Sequence, residues 1–344
     1  MTAITAAAGG RARRSRDENV IRLLGLLVFV FVLMTILRPA QFATLADFNS
    51  MMRQFPEYGI MAIGMSLTMI TGGIDLGVVG AANLSAIVAA KFLVAAVPPG
   101  APPQQVVPYL VAAVGLALAT GLACGAFAGI LIARFNVPAI LATLGTQQLY
   151  TGIAIGITSG RPQSHLPLLY SKVGNTEFLN FFPLSFILFV AIAVAAGFML
   201  SRTRFGTSLY MIGTNAQAAS YAGLTNASIL LRTYMISGFL SSVAGLIMMA
   251  RANSAKAEYG VPYTLQCVLI AVLGGIDPYG GSGNIAGVTL AILILQFLSS
   301  GLNMFNNVSN FYRDVIWGGV LLLVLVVNRF LSRRSERRAV LKAS

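Results

Sequence analysis

Thr71-Gly-Gly-Ile-Asp-Leu-Gly-Val-Val-Gly80 decides how the chain is read. It divides an apolar run from Ile60 to Ile70 from a second one between Val78 and Ala96, and it sets a carboxylate, Asp75, between them. An acid beside such runs is costly unless it faces protein, water or a membrane surface, which marks it as functional by default. The glycines remove side-chain bulk and open backbone angles closed to other residues, as a broken helix or a tight turn requires. A plainer account makes Asp75 the cap of the next helix in a solvated turn. The same four residues recur, however. Leu273-Gly-Gly-Ile-Asp-Pro-Tyr-Gly-Gly-Ser-Gly-Asn284 again lies between an apolar run and a helix of small residues. Paired interruptions of this kind point to a transport pathway. Gly72, Gly73, Asp75, Gly274, Gly275 and Asp277 are therefore helix-break and pathway candidates.

Composition fits that reading. Of 344 residues, 57% are hydrophobic and only 10% charged, against about 25% charge in soluble domains. Mean hydropathy is +0.80. This is the composition of a chain that lives in a bilayer. Gly121, Gly125 and Gly129 fall on one helical face, where they let membrane helices approach closely. The net charge of +13 does not indicate nucleic acid, because the basic residues gather at the ends. Arg11, Arg13, Arg14 and Arg16, with Arg333, Arg334, Arg337 and Arg338, can orient membrane spans or bind anionic membrane lipid. Cys124 and Cys267 lie inside apolar runs, and the single His165 sits in a polar loop, so neither a disulfide framework nor a metal site is expected.

A span needs about 20 apolar residues. That rule predicts an all-α polytopic membrane protein of about ten segments: Ile21–Leu37, Tyr58–Thr71, Gly77–Val97, Val107–Ala133, Ala139–Thr158, Pro183–Leu200, Ile229–Ala250, Tyr263–Leu273, Ile285–Gly301 and Val315–Leu331. The second and eighth are too short for comfortable straight spans, and both end at Gly-Gly-Ile-Asp. The first follows a basic tail with no small-residue cleavage pattern after it, which reads as an uncleaved span. Lys and Arg placement puts both termini, Arg134 and the 201–229 loop in the cytoplasm. The chain thus divides into a basic tail over 1–19, a membrane domain over 20–331 and a second basic tail over 332–344. Simple counting sets both Gly-Gly-Ile-Asp stretches on one side; an inverted repeat would instead make one short segment re-entrant.

Polar residues inside the spans are either ties between helices or the lining of a hydrated path. Asn83, Thr143, Thr146, Gln147 and Gln148 are the pathway candidates. In the 201–229 loop, Thr214 or Asn215 can cap a short alanine-rich helix that Gly223 ends. Such a small-faced helix suits docking into a groove on another protein, and it lacks the Lys/Arg face of a helix lying on lipid.

Taken in order, Thr71-Gly-Gly-Ile-Asp-Leu-Gly77, Pro138-Ala-Ile-Leu-Ala-Thr-Leu-Gly-Thr146, Gly213-Thr-Asn-Ala-Gln-Ala-Ala219 with Gly223, the second Gly-Gly-Ile-Asp stretch and Gly301-Leu-Asn303 resemble the permease subunits of ribose-type sugar ABC importers over nearly the whole chain. The chain departs from that pattern at Gly77, where Ser is frequent, at Thr207, where a basic residue is frequent, and at Ala222-Gly-Leu224, where Ser-Gly-Ile is common. The resemblance implies a type II ABC-importer-like permease of a bacterial inner membrane. It further implies a second permease copy or homologue, cytoplasmic ABC ATPase subunits and an extracytoplasmic solute-binding protein. Gly213, Thr214, Asn215, Ala218, Ala219 and Gly223 match the ATPase-docking loop. No Gly-x-x-x-x-Gly-Lys-[Ser/Thr] occurs, so no cofactor is expected on this chain and ATP belongs to a partner.

The expected function is translocation of a monosaccharide or similar small polyol-like solute by alternating access. A second class, an ion-coupled secondary transporter with Asp75 and Asp277 as proton or cation sites, rests on the cost of intramembrane acids. An enzyme is not expected, because no nucleophile–base pair or metal spacing appears.

Overall fold

The structure is a computed structural model that describes residues 2–98, 101–179 and 181–305, with isolated helical positions at 315, 318, 319 and 322. The expected tenth segment, Val315–Leu331, and the 332–344 tail lie outside the described residues apart from those positions.

Helix α1 (Thr2–Leu37) runs from the basic tail into the first apolar stretch without a break. It is followed by α2 (Leu45–Ile70), α3 (Val78–Ala96), α4 (Pro103–Ala133) and α5 (Ala139–Thr158). Next come a short α6 (Leu168–Gly174) and a small hairpin of β1 (Glu177–Phe178) and β2 (Phe182–Pro183). The second half contains α7 (Leu184–Arg202), α8 (Arg204–Thr214), α9 (Ala216–Tyr221), α10 (Asn226–Ala252), α11 (Tyr263–Leu273) and α12 (Ile285–Asn303).

Six of these are long and apolar enough to cross a membrane: the Asn19–Leu37 part of α1, and α3, α4, α7, α10 and α12. That is fewer than the ten segments expected. Helix α5 has the expected bounds, but Thr143, Thr146, Gln147 and Gln148 dilute its apolar character. Helix α11 is short, as expected, with 11 residues.

The expectation for α2 needs correction. Tyr58–Thr71 looked too short to span, yet the helix has 26 residues and starts at Leu45. Arg53, Pro56 and Glu57 disguise its first half, and the fold compensates the charges with partners. Arg53 pairs with Glu177 of β1, and Asn49 adds a bond to the same carboxylate. Glu57 is fully buried against Arg251 of α10. Almost every residue of α2 from Met51 onward is buried, as befits a helix apolar on all sides at the centre of a bundle.

Helix α10 packs on α4 through glycine. A Cβ at Gly125 would run into the Tyr234 carbonyl, and one at Gly121 into the Gly238 carbonyl. Gly238 presses back against Gly125 in the same way. This backbone-to-backbone seam is what the Gly121/Gly125/Gly129 face predicts. Elsewhere, α1 and the turn after it close on α12 through Phe31, Phe42 and Phe297, with Gly301 making room for Met34.

Candidate functional site

Three glycine-bearing segments from distant parts of the chain meet at one point. They are the end of α2, the turn after the second Gly-Gly-Ile-Asp, and the end of α8. The Gly281 amide donates to the Ile70 carbonyl at 2.9 Å. A side chain at Gly213 would collide with both of those backbone groups, and one at Gly280 would meet Gly72 at 2.7 Å and Gly213 at 3.0 Å. The Tyr210 hydroxyl of α8 closes the junction by donating to the Gly283 carbonyl at 2.8 Å. Gly72, Gly280 and Gly281 hold φ of +83°, +91° and +78°, angles that strain any residue with a Cβ. The two Gly-Gly-Ile-Asp stretches therefore lie at the same end of the molecule, as counting of crossings predicts, and the 201–229 loop joins them there.

The two acids occupy different settings. Asp75 is buried; its Oδ1 accepts from the Gly77 amide at 3.0 Å and its Oδ2 from the Ser237 hydroxyl at 2.7 Å. Ser237 lies about 16 Å along α10 from its start at Asn226, so Asp75 sits inside the helical body. Beside it is a cavity of about 10 Å³, lined by Gly77, Ala81, Cys124, Tyr150 and Gly238, the size of one water molecule. Gly73 gives way to the buried Tyr234 hydroxyl. Asp277 is half-buried and accepts from the Tyr279 amide at 2.9 Å, closing a turn on itself. Gly274 allows α11 to approach Val288 of α12, and Gly275 has φ of +87°.

Of the five polar candidates in spans, four are engaged in holding backbone. Asn83 donates to the Ala257 and Tyr259 carbonyls at 2.8 and 2.9 Å. Thr143 donates to Ile74 O at 2.9 Å, while Thr146 returns to Thr143 O of its own helix. Gln147 Oε1 accepts from the Gly80 amide at 3.1 Å. Gln148 alone of the five is exposed, on the outer face of α5 with Gly145 and Gly152, around which nothing packs.

The 201–229 loop holds two helices rather than one. Thr203 caps α8 by accepting from the Gly206 amide at 3.1 Å. Asn215, not Thr214, caps α9, accepting from the Ala218 amide at 2.9 Å; Thr214 is the last residue of α8. Gly223, with φ of +85°, ends α9. Ala218 faces outward and Ala219 is buried within this chain. The outward face of α9 carries Gln217, Ala218, Ser220 and Tyr221 and no charge.

The sequence reading missed Glu57, which lies just ahead of the expected Tyr58–Thr71 segment. Its carboxylate takes two bonds from the Arg251 guanidinium, one of them 3.0 Å, and one from Tyr263 at 3.4 Å. This cluster ties α2, α10 and α11 together. The apolar positions Met51, Met52, Phe55 and Tyr58 around it carry the helical spacing that signals the longer helix. Tyr170 of α6 is a further tie, donating to Leu246 O at 2.8 Å; burial pushes its phenol above the ordinary range.

Comparison with known proteins supplies a frame for this geometry. Residues 48–325 match the family described as "Branched-chain amino acid transport system / permease component". The chain is 32% identical over 317 residues to the ribose import permease protein RbsC of Escherichia coli K12, covering 89% of this chain and 92% of the relative. It is 33% identical over 322 residues to RbsC of Bacillus subtilis, covering 92% and 96%. It is also 33% identical over 326 residues to the autoinducer 2 import system permease protein LsrD of Klebsiella pneumoniae, covering 91% and 92%. No solved structure matches the chain significantly.

Proposed function

The chain belongs to the branched-chain amino acid transport system / permease component family, a multi-pass membrane protein related to ribose-type ABC importer permeases, and from that premise we propose that it carries a monosaccharide or similar small polyol-like solute into the cytoplasm. ATP hydrolysis on a separate ABC ATPase subunit drives the cycle, and an extracytoplasmic solute-binding protein delivers the cargo. Two permease chains form the core in a bacterial inner membrane, each with about ten spans and both termini in the cytoplasm.

One observation carries the reading beyond family membership. The end of α8 is locked, backbone to backbone, to the end of α2 and to the turn between α11 and α12. A push on the α8–α9 element is therefore delivered to both Gly-Gly-Ile-Asp stretches without slack, because glycine contacts leave no side chain to yield. The exposed, uncharged face of α9 is where a partner ATPase makes that push. Tyr221, 84% exposed, stands at the end of this face.

The test uses the chain purified with a co-expressed ABC ATPase subunit. Ala218→Glu puts a charge on the outward face and spares the internal packing that Ala219→Glu would disturb. Normal membrane levels with loss of co-purifying ATPase and of ATP-dependent, uncoupler-insensitive uptake are expected. Retained ATPase association with uptake abolished by an uncoupler would turn the reading to the ion-coupled alternative.

A further inference from the structure

The chain does not simply leave the helical body at the end of α10. After Ala252 it reverses at Asn253, which holds φ of +48°, and runs back in without regular helix until α11 begins at Tyr263. Asn83 shows how far it returns, since its amide holds the Ala257 and Tyr259 carbonyls. Asn83 lies about 20 Å along α3 from its far end at Ala96 and about 12 Å inward of Lys91. Residues 255 and 163 form an antiparallel bridge, with amide-to-carbonyl distances of 2.8 and 2.9 Å. Beyond the bridge the chain tightens into a turn, the Tyr259 amide donating to the Lys256 carbonyl at 3.3 Å; Ala255 and Ala257 are buried, while Lys256 and Glu258 are exposed. Among the described residues, neither charged side chain has a hydrogen-bond or ion-pair partner.

Lipid tolerates neither irregular backbone nor unpaired charges at this depth. Water is the remaining surrounding for these two side chains. Gly80 and Asn83 are one turn apart on α3, and they hold Gln147 of α5 and residues 257–259 respectively. Helix α5 and the returning segment therefore flank the same turn of α3.

We propose that residues 253–262 are a re-entrant segment lining a water-filled solute path, with Lys256 and Glu258 as its polar contacts. An ammonium donor and a carboxylate acceptor exposed on one tight turn match a neutral polyhydroxyl solute. The pair adds no net charge, so it favours neither anions nor cations. The inference rests on the transport reading above and assigns where the solute runs.

Thiol labelling in proteoliposomes tests it, with the full chain carrying Lys256→Cys or Glu258→Cys. Both positions are exposed, which spares the fold, and the native Cys124 and Cys267 are buried. Val194→Cys on the apolar face of α7 and Leu179→Cys at the hairpin tip serve as lipid and surface references. A small charged methanethiosulfonate is expected to modify both test positions roughly tenfold faster than Val194→Cys, since it needs a hydrated thiolate. A polyethylene-glycol maleimide too wide for a solute path is expected to reach Leu179→Cys only. Modification as slow as at Val194→Cys would overturn the proposal, and so would ready access of the wide reagent, which marks a surface loop. Ribose uptake, measured with the ATPase and binding protein present, is expected to fall on modification; unchanged uptake would remove the solute contact. Absence of ribose uptake by the unsubstituted transporter counts against the sugar reading alone, and the thiol pattern still decides the path.

Discussion

Asp75 and Asp277 close the same Gly-Gly-Ile-Asp sequence, yet Asp75 reaches across to Ser237 of α10 while Asp277 turns back to the amide two residues ahead. The first acid is a tertiary tie buried in the body; the second shapes its own loop. Context explains the divergence. After Ile74-Asp75 the chain climbs into α3 beneath α10, whereas Pro278 after Asp277 forbids a helix there and commits the chain to a turn of glycines. A repeat in sequence is thus compatible with one element that couples helices and another that supplies a hinge-like surface.

The comparison breaks most readily at Asp75. Asp75→Leu strands the Gly77 amide and deprives Ser237 of its acceptor, each stranded buried group costing about 1–3 kcal/mol. Lower membrane levels and a loss of uptake of roughly tenfold or more are expected from that arithmetic, while Asp75→Asn keeps most of both. Full expression and uptake in Asp75→Leu would erase the distinction between the two acids. Gly213→Val tests the junction they share, because its side chain would overlap the backbone of Ile70 and Gly281. A destabilisation of about 1–3 kcal/mol is expected for such overpacking, read as a lower melting temperature of the detergent-solubilised chain. An unchanged melting temperature would show that the three segments are not locked together. The smallest effect is expected at Asp277, where Asp277→Leu removes one turn bond worth about 0.5–1.5 kcal/mol. Uptake by this variant should exceed that of Asp75→Leu in the same assay; the reverse order would invert the assignment of roles.

Much of the architecture was legible beforehand. Ala139–Thr158 and Tyr263–Leu273 appear with the expected bounds, and the small-residue face of α4 meets α10 as its spacing predicts. Such features depend on the local run of residues. The first half of α2 was not legible, because Glu57 reads as a solvent-exposed charge until Arg251, far along the chain, is seen to neutralise it. The ambiguity between Thr214 and Asn215 as a cap had the same origin: both suit the role, and only the second helix, α8, claims Thr214. Ala218 and Ala219 are equivalent in sequence, and packing alone turns one outward and one inward.

The sequence by itself determined that the chain is a helical membrane protein, that its helices break at Gly-Gly-Ile-Asp, and which family it resembles. The first two follow from composition, apolar run length and the conformational freedom of glycine, all local properties, and the resemblance from motifs such as Pro138–Thr146 and Gly213–Ala219 in order. Only the tertiary structure decided that the two breaks and the end of α8 meet at one junction, and that residues 253–262 return into the body with Lys256 and Glu258 turned outward. Those facts depend on which distant groups satisfy one another's backbone and charge, as Gly281 does for Ile70 and Asn83 for Ala257 and Tyr259. A buried polar group must find a partner somewhere, but the linear order of residues does not say where.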